Sequence, residues 1–119
     1  MIGESARVVK VMFLRVFLPD QPERTAGILL LEEATGNLFL KIRDDWDRIA
    51  DEPDAQVLAG VAEDFHKRLD EFGAGGGAAF LRLLEDQLSN VLRLSERQEM
   101  TTSNIRSTLD LLFDENCRN

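Results

Sequence analysis

Between Val8 and Leu18 the chain is apolar on both parities: Val8, Met12, Leu14, Val16 and Leu18 on one, Val9, Val11, Phe13 and Phe17 on the other. Alternate residues of an extended chain face opposite ways, so this segment has no side to give to water. Such a run belongs inside a sheet, covered on both faces. The pattern predicts a first strand over residues 6–18, internal to its sheet. Its length invites a bulge, and Lys10 or Arg15 marks a place where a side chain reaches water. Pro19 removes a ladder donor and ends the pairing.

A second apolar run predicts a strand over residues 26–34. Gly27 near its start suits a close backbone approach or a bulge. Thr35, Gly36 and Asn37 supply a turn, with Gly36 free to take positive φ. The third strand, residues 37–43, alternates cleanly: Leu38, Leu40 and Ile42 one way, Phe39, Lys41 and Arg43 the other, so it reads as half exposed. Asp44 or Asp45 can cap a short helix over residues 46–50.

Pro53 suits the first turn of a longer helix. Over residues 54–72, Val57, Leu58, Val61, Phe65, Leu69 and Phe72 recur at helical spacing and form a stripe that faces a core. Gly73 ends it, and the glycine-rich residues 73–77 read as a flexible hinge. A second helix follows over residues 78–87, and after Ser89 and Asn90 a short strand candidate over residues 91–95. Residues 96–102 are polar and loop-like. Ser103 is placed to cap a last helix carrying Ile105, Leu109, Leu112 and Phe113.

With 119 residues the chain is long enough for one domain with a core that needs no staples. Its apolar fraction of 44% argues against wholesale disorder. Net charge is −8, unevenly spread: residues 1–43 hold six basic and five acidic groups, residues 44–119 eight and seventeen. An acidic helical half repels phosphate backbones, so nucleic acid is not an expected partner. The apolar runs are too short to span a membrane, which takes about 20 residues, and no secretory signal is visible; the expected location is cytoplasmic. The lone Cys117 cannot form an internal disulfide, which fits a reducing compartment. It reads as an incidental thiol in a fraying terminus.

Several side-chain patterns bear on chemistry. Glu63, His66 and Asp70 share one helical face and are ligand-capable, although a metal site needs a further ligand and supporting contacts. Gly73, Gly75 and Ala78 spell a dinucleotide fingerprint by letter, but they follow a helix where that motif follows a strand. Asp20 and Lys41 resemble part of a metal-dependent nuclease pattern, with Phe39 where an acid is needed. Glu32, Glu33, Asp44, Asp45 and Asp47 could gather at one end of the sheet, or serve as ordinary strand-end and cap acids. With one histidine and no nucleophile elbow, no catalytic triad is read. No cofactor and no metal are expected. Trp46, flanked by Asp44, Asp45 and Asp47, either anchors a short helix through its apolar body or offers a hot spot to a partner.

Leu18-Pro19-Asp20, Arg24, Gly27 with the strand after it, Thr35-Gly36 and Asp44-Asp45-Trp46 together resemble a bacterial family of small uncharacterised proteins. The later residues 92–96 and 109–113 are similar to that family's "LS…LDxLF" ending. The chain departs from it at Thr25-Ala26, where the family carries Gly and acidic or Asn positions. The resemblance implies no established activity. It implies a partner protein, since the family's genes tend to neighbour a kinase of the toxin–antitoxin type.

The residues therefore predict an α+β domain over residues 1–119: an antiparallel three- to four-stranded meander, two antiparallel helices packed on one face, and a C-terminal helix. The leading functional expectation is a non-enzymatic interaction, adaptor or regulatory protein. It would bind a protein partner or a second copy through an exposed strand edge, strand three or the strand near Val91, with Asp44, Asp45, Trp46 and Asp47 as candidate partner-binding residues. The alternatives are a small enzyme or a nucleotide- or metal-responsive module using the acids after strand three, and an acidic nucleic-acid mimic.

Overall fold

The two-sided apolar run forms the central strand of an antiparallel sheet with helices on both faces. The computed structural model describes residues 6–88 and 91–117, and for Gln87 the backbone alone. The elements are β1 (Arg7–Val16), β2 (Arg24–Glu32), β3 (Asn37–Ile42), a 3-10 turn (Trp46–Arg48), α1 (Glu52–Phe72), α2 (Gly77–Gln87), β4 (Leu92–Leu94), β5 (Gln98–Thr102) and α3 (Ile105–Cys117). Strands lie in the order β3-β2-β1-β4, with β5 also paired to β1. β5 takes the first half of β1, Arg7 to Val11, and β4 takes the second, Leu14 to Val16. The fold is α+β, as the hydrophobic patterning indicates.

Each parity of β1 has its own cover. Met12, Leu14 and Val16 join Leu29 and Leu31 of β2 beneath α1 and α2, where Leu58, Phe65, Phe80, Leu81 and Leu84 close the layer. Val9 and Val11 join Ile28 and Leu30 beneath α3, against Ile105, Leu109 and Cys117. The two helices expected on one face are there, with Phe72 of α1 edge-on to Phe80 of α2 at 6.0 Å. α3 covers the opposite face, which is why β1 has no polar parity.

The bulge falls on β2. Leu14 pairs with Gly27 and Arg15 with Thr25, leaving Ala26 as the extra residue. Gly27 is needed there, because a Cβ would sit 2.8 Å from the Lys41 carbonyl oxygen.

Several expectations change. β3 is covered on both sides, all six residues half-buried; Lys41 pairs with Asp110 of α3 at 2.8 Å and lies over the Phe113 ring. Residues 98–102, polar enough to read as loop, form β5, because the β1 ladder supplies the pairing their composition does not advertise. The Asn104 side chain, one residue beyond Ser103, accepts from the Ser107 amide and caps α3. Cys117 is buried in the α3 layer, so α3 holds its final turn down instead of fraying. Ser89 and Asn90 lie outside the described residues.

The glycine run is a docked turn. Gly77 N donates to Gly36 O at 2.7 Å, and Gly75 N donates to Asn37 Oδ1 at 2.9 Å. The α1–α2 connection thus packs against the β2–β3 turn, where Gly36 takes φ 77°. A Cβ on Gly36 would meet Gly75 O at 2.5 Å. Close backbone approach, and not freedom of motion, explains glycine at both turns.

Candidate functional site

The sheet has two outer edges, and backbone geometry shows which groups each leaves open. Hydrogen-bonded pairs alternate with non-bonded ones along an antiparallel ladder. Arg43 N donates to Ala26 O at 2.8 Å, so Phe39 and Lys41 turn their amides and carbonyls toward β2 while Leu38, Leu40 and Ile42 turn theirs outward. The α2 start crowds the Leu38 end: a Cβ on Gly77 would come within 2.7 Å of Leu38 N. Leu40 and Ile42 keep an open edge. A cleft of about 410 Å³ runs alongside, with His66, Leu69 and Asp70 of α1 on one wall and Arg106 and Leu109 of α3 on the other.

On the far side of the sheet, Phe17 N donates to Val91 O at 2.7 Å and Ser95 N to Phe13 O at 2.9 Å. By the same alternation, Leu92 and Leu94 of β4 point their backbone groups away from β1. Next to them lies a groove of about 470 Å³ lined by Val57, Gly60, Val61 and Phe65 of α1 with Leu88 and Leu92. Its lining is mainly apolar, and Asp64 is its one charged side chain. Val57 is 64% exposed and Val91 40% exposed. β5 continues this edge with the exposed Gln98, Glu99 and Thr101, polar side chains of the kind that discourage further strand pairing.

The apolar stripe of α1 is thus divided. Leu58 and Phe65 enter the core as expected, but Val57 does not. Val57 and Leu58 are adjacent and stand about 100° apart around a helix, so one buried face cannot hold both fully. That spacing was the available signal of a second apolar surface.

The acidic segment after β3 is taken apart by the fold. Trp46 is 5% exposed and packs in the layer under α1, so it has almost no surface for a partner. Asp45 lies at the entry to the 3-10 turn but makes no capping bond. Its carboxylate receives Arg43 Nε at 2.7 Å and Arg43 Nη2 at 3.0 Å. The Arg43 guanidinium also donates to Thr25 O at 3.3 Å. Those hydrogen bonds hold the Asp45 carboxyl below its usual range, against the opposing effect of burial. Asp44 and Asp47 are exposed.

The other acids stay apart. Glu32 sits at the opposite end of β3, paired in register with Asn37, and is gripped by Arg7 through bonds of 2.7 and 2.8 Å. Thr35 Oγ1 adds a third bond at 2.9 Å. Glu32 is held below its usual value chiefly by Arg7. Among the described residues no three His, Cys, Asp or Glu side chains gather as a metal group. Glu63, His66 and Asp70 are exposed on α1. Among the described residues no helix is long and apolar enough to cross a membrane.

No family model, curated protein or solved structure matches this chain. The resemblance drawn from the "PD", "TG" and "DW" segments therefore rests on those residues alone.

Proposed function

We propose that this protein is a non-enzymatic interaction module that binds a protein chain, a partner or a second copy, in the groove between α1 and β4. One observation carries the reading: an apolar groove with Val57 exposed at its rim lies beside the outward backbone groups of Leu92 and Leu94. Apolar surface in a concave patch is the kind that a partner buries, and an open strand edge adds directional hydrogen bonds. Each Val-sized side chain covered in this way contributes about 1.5–3 kcal/mol if fully buried. The family resemblance makes a kinase of the toxin–antitoxin type the first partner to test.

The test compares wild type with Val57→Asp, a change at an exposed position that spares the core. Sedimentation and capture from host extract are run on both. Wild type self-associates or retains a defined partner, and Val57→Asp loses it. A wild-type protein that stays monomeric and retains nothing defeats the proposal, and so does a complex indifferent to Val57→Asp.

A further inference from the structure

Arg93, in the middle of β4, is an exposed cation with no ion-pair partner among the described residues. Its register partner on β1 is Arg15, and like charges directly opposite each other destabilise a ladder. Arg15 is answered by Glu23 at 2.9 Å. Arg93 has the Phe17 ring beneath it, 5.3 Å from its guanidinium carbon to the ring centroid, and no acid. Side chains alternate along a strand. Leu92 and Leu94 belong to the layer under α1, so Arg93 stands on the opposite face of the sheet. The β4 edge is thus apolar on one face, along the groove of Val57, Val61 and Phe65, and cationic on the other.

We infer that the occupant of the groove is an extended strand of another protein, paired antiparallel to β4, with apolar residues at one parity and Glu or Asp at the other. The inference rests on the α1–β4 groove being the docking site, and it names the chemistry of what docks there. A strand bonded to the outward groups of Leu92 and Leu94 has the residue between those two bonds directly opposite Arg93. That is a non-hydrogen-bonded pair, where side chains lie closest. A carboxylate there supplies the counter-charge that Arg93 lacks, and the residues on either side of it point into the apolar groove. Asp64, the one charge in the groove lining, is held by Arg68 at 2.9 Å and lies on the α1 wall, away from the acidic parity. A second copy is the poorer occupant. Pairing the whole of β4, Leu92–Leu94, with its own copy sets Arg93 against Arg93 and joins two chains of net charge −8.

Fluorescence anisotropy of the full chain with short labelled peptides tests this, one alternating Val with Glu, one Val with Lys and one Ser with Glu. The Val/Glu peptide binds saturably, and the Val/Lys peptide binds about threefold to tenfold more weakly. The Ser/Glu peptide, which has nothing to bury in the groove, is weaker than Val/Glu by about tenfold or more. Arg93→Glu, an exposed change that sets an acid opposite Arg15, inverts the order of the two Val peptides, and Val57→Asp weakens both. Equal affinity for Val/Glu and Val/Lys overturns the inference, as does an Arg93→Glu protein that keeps the wild-type order. In either case, binding that is still lost in Val57→Asp leaves the groove as the docking site. Val/Glu binding indifferent to Val57→Asp overturns the inference by placing the peptide elsewhere. A wild-type protein that binds none of the peptides also overturns it, and self-association lost in Val57→Asp then assigns the groove to a second copy.

Discussion

Gly77 and Gly36 meet backbone to backbone: the Gly77 amide donates to the Gly36 carbonyl at 2.7 Å, tying the first residue of α2 to the β2–β3 turn. A Cβ on Gly77 would lie 2.6 Å from both Gly36 O and Leu38 Cβ, and two of its three near contacts are backbone atoms that cannot swing aside. Gly77→Ala therefore destabilises by about 1–3 kcal/mol, the usual range for overpacking. Gly60→Ala is the counter-experiment. Nothing lies within 4 Å of its added methyl, and alanine is the better helix former by about 1 kcal/mol. Urea midpoints at unchanged slope should move in opposite directions for the two variants.

The Arg43–Asp45 pair predicts an asymmetric response. The Arg43 side chain is 2% exposed and that of Asp45 29%. Asp45→Asn leaves a buried guanidinium without its counter-charge and should cost about 2–4 kcal/mol, below the full buried-pair penalty because the carboxylate is partly wet. Replacing Arg43 by Met and Asp45 by Asn together should cost less than Asp45→Asn alone. A double-mutant cycle reads this directly.

Stability should fall at both ends of the pH scale, for separate reasons. Asp45 and Glu32 have folded values lowered chiefly by hydrogen bonds from Arg43 and Arg7. A lowered folded value means the contribution is complete above the ordinary carboxylate range. It is lost as pH drops through the folded values, so acid weakening begins below about pH 4. Burial pushes the Cys117 thiol up to about 11. Its contribution is complete below the unfolded value of 9.0 and is lost as pH rises toward 11. Denaturant midpoints from pH 3 to pH 10 should fall on both sides, and Cys117→Ala should remove the alkaline arm alone.

The same burial makes Cys117 chemically quiet. A thiol held protonated in an apolar layer reacts poorly, so labelling of native protein at pH 7 should be slow and should accelerate in denaturant. Trp46 offers a parallel optical test. Its native emission should be blue-shifted and poorly quenched by iodide, and Trp46→Ala should cost about 3–5 kcal/mol. Emission that stays unchanged when a partner binds would agree with a docking site elsewhere.

The parts of the fold legible from sequence are those specified by local patterns. The double parity of β1 states that both of its faces are covered, Thr35-Gly36 states a turn, and Pro53 states a helix start. The parts that were not legible depend on what lies opposite. β5 is a strand because Val9 and Val11 pair with Met100 and Gln98, and nothing in Gln98 or Glu99 announces that. The residues 73–77 read as a hinge because a sequence does not reveal the backbone pressed against its glycines. Of the candidate site, the edge near Val91 is legible in the sequence, but the apolar groove beside it is not, for a similar reason. Val57 counts toward a core stripe until the position of β4 shows that it lies at a rim. The acids from Asp44 to Asp47 drew attention as a cluster, but Arg43 had already claimed Asp45.

The divided pairing of β1 also sets a timetable for synthesis. Arg7 has to wait for Thr102, its register partner, and at about 5–20 residues per second that interval lasts several seconds. Throughout it the most oily segment of the chain has one flank bare, held only by the hairpin that follows. Production in a heterologous host should therefore suffer most from truncation before β5, with the nascent product recovered in inclusion bodies instead of the soluble fraction.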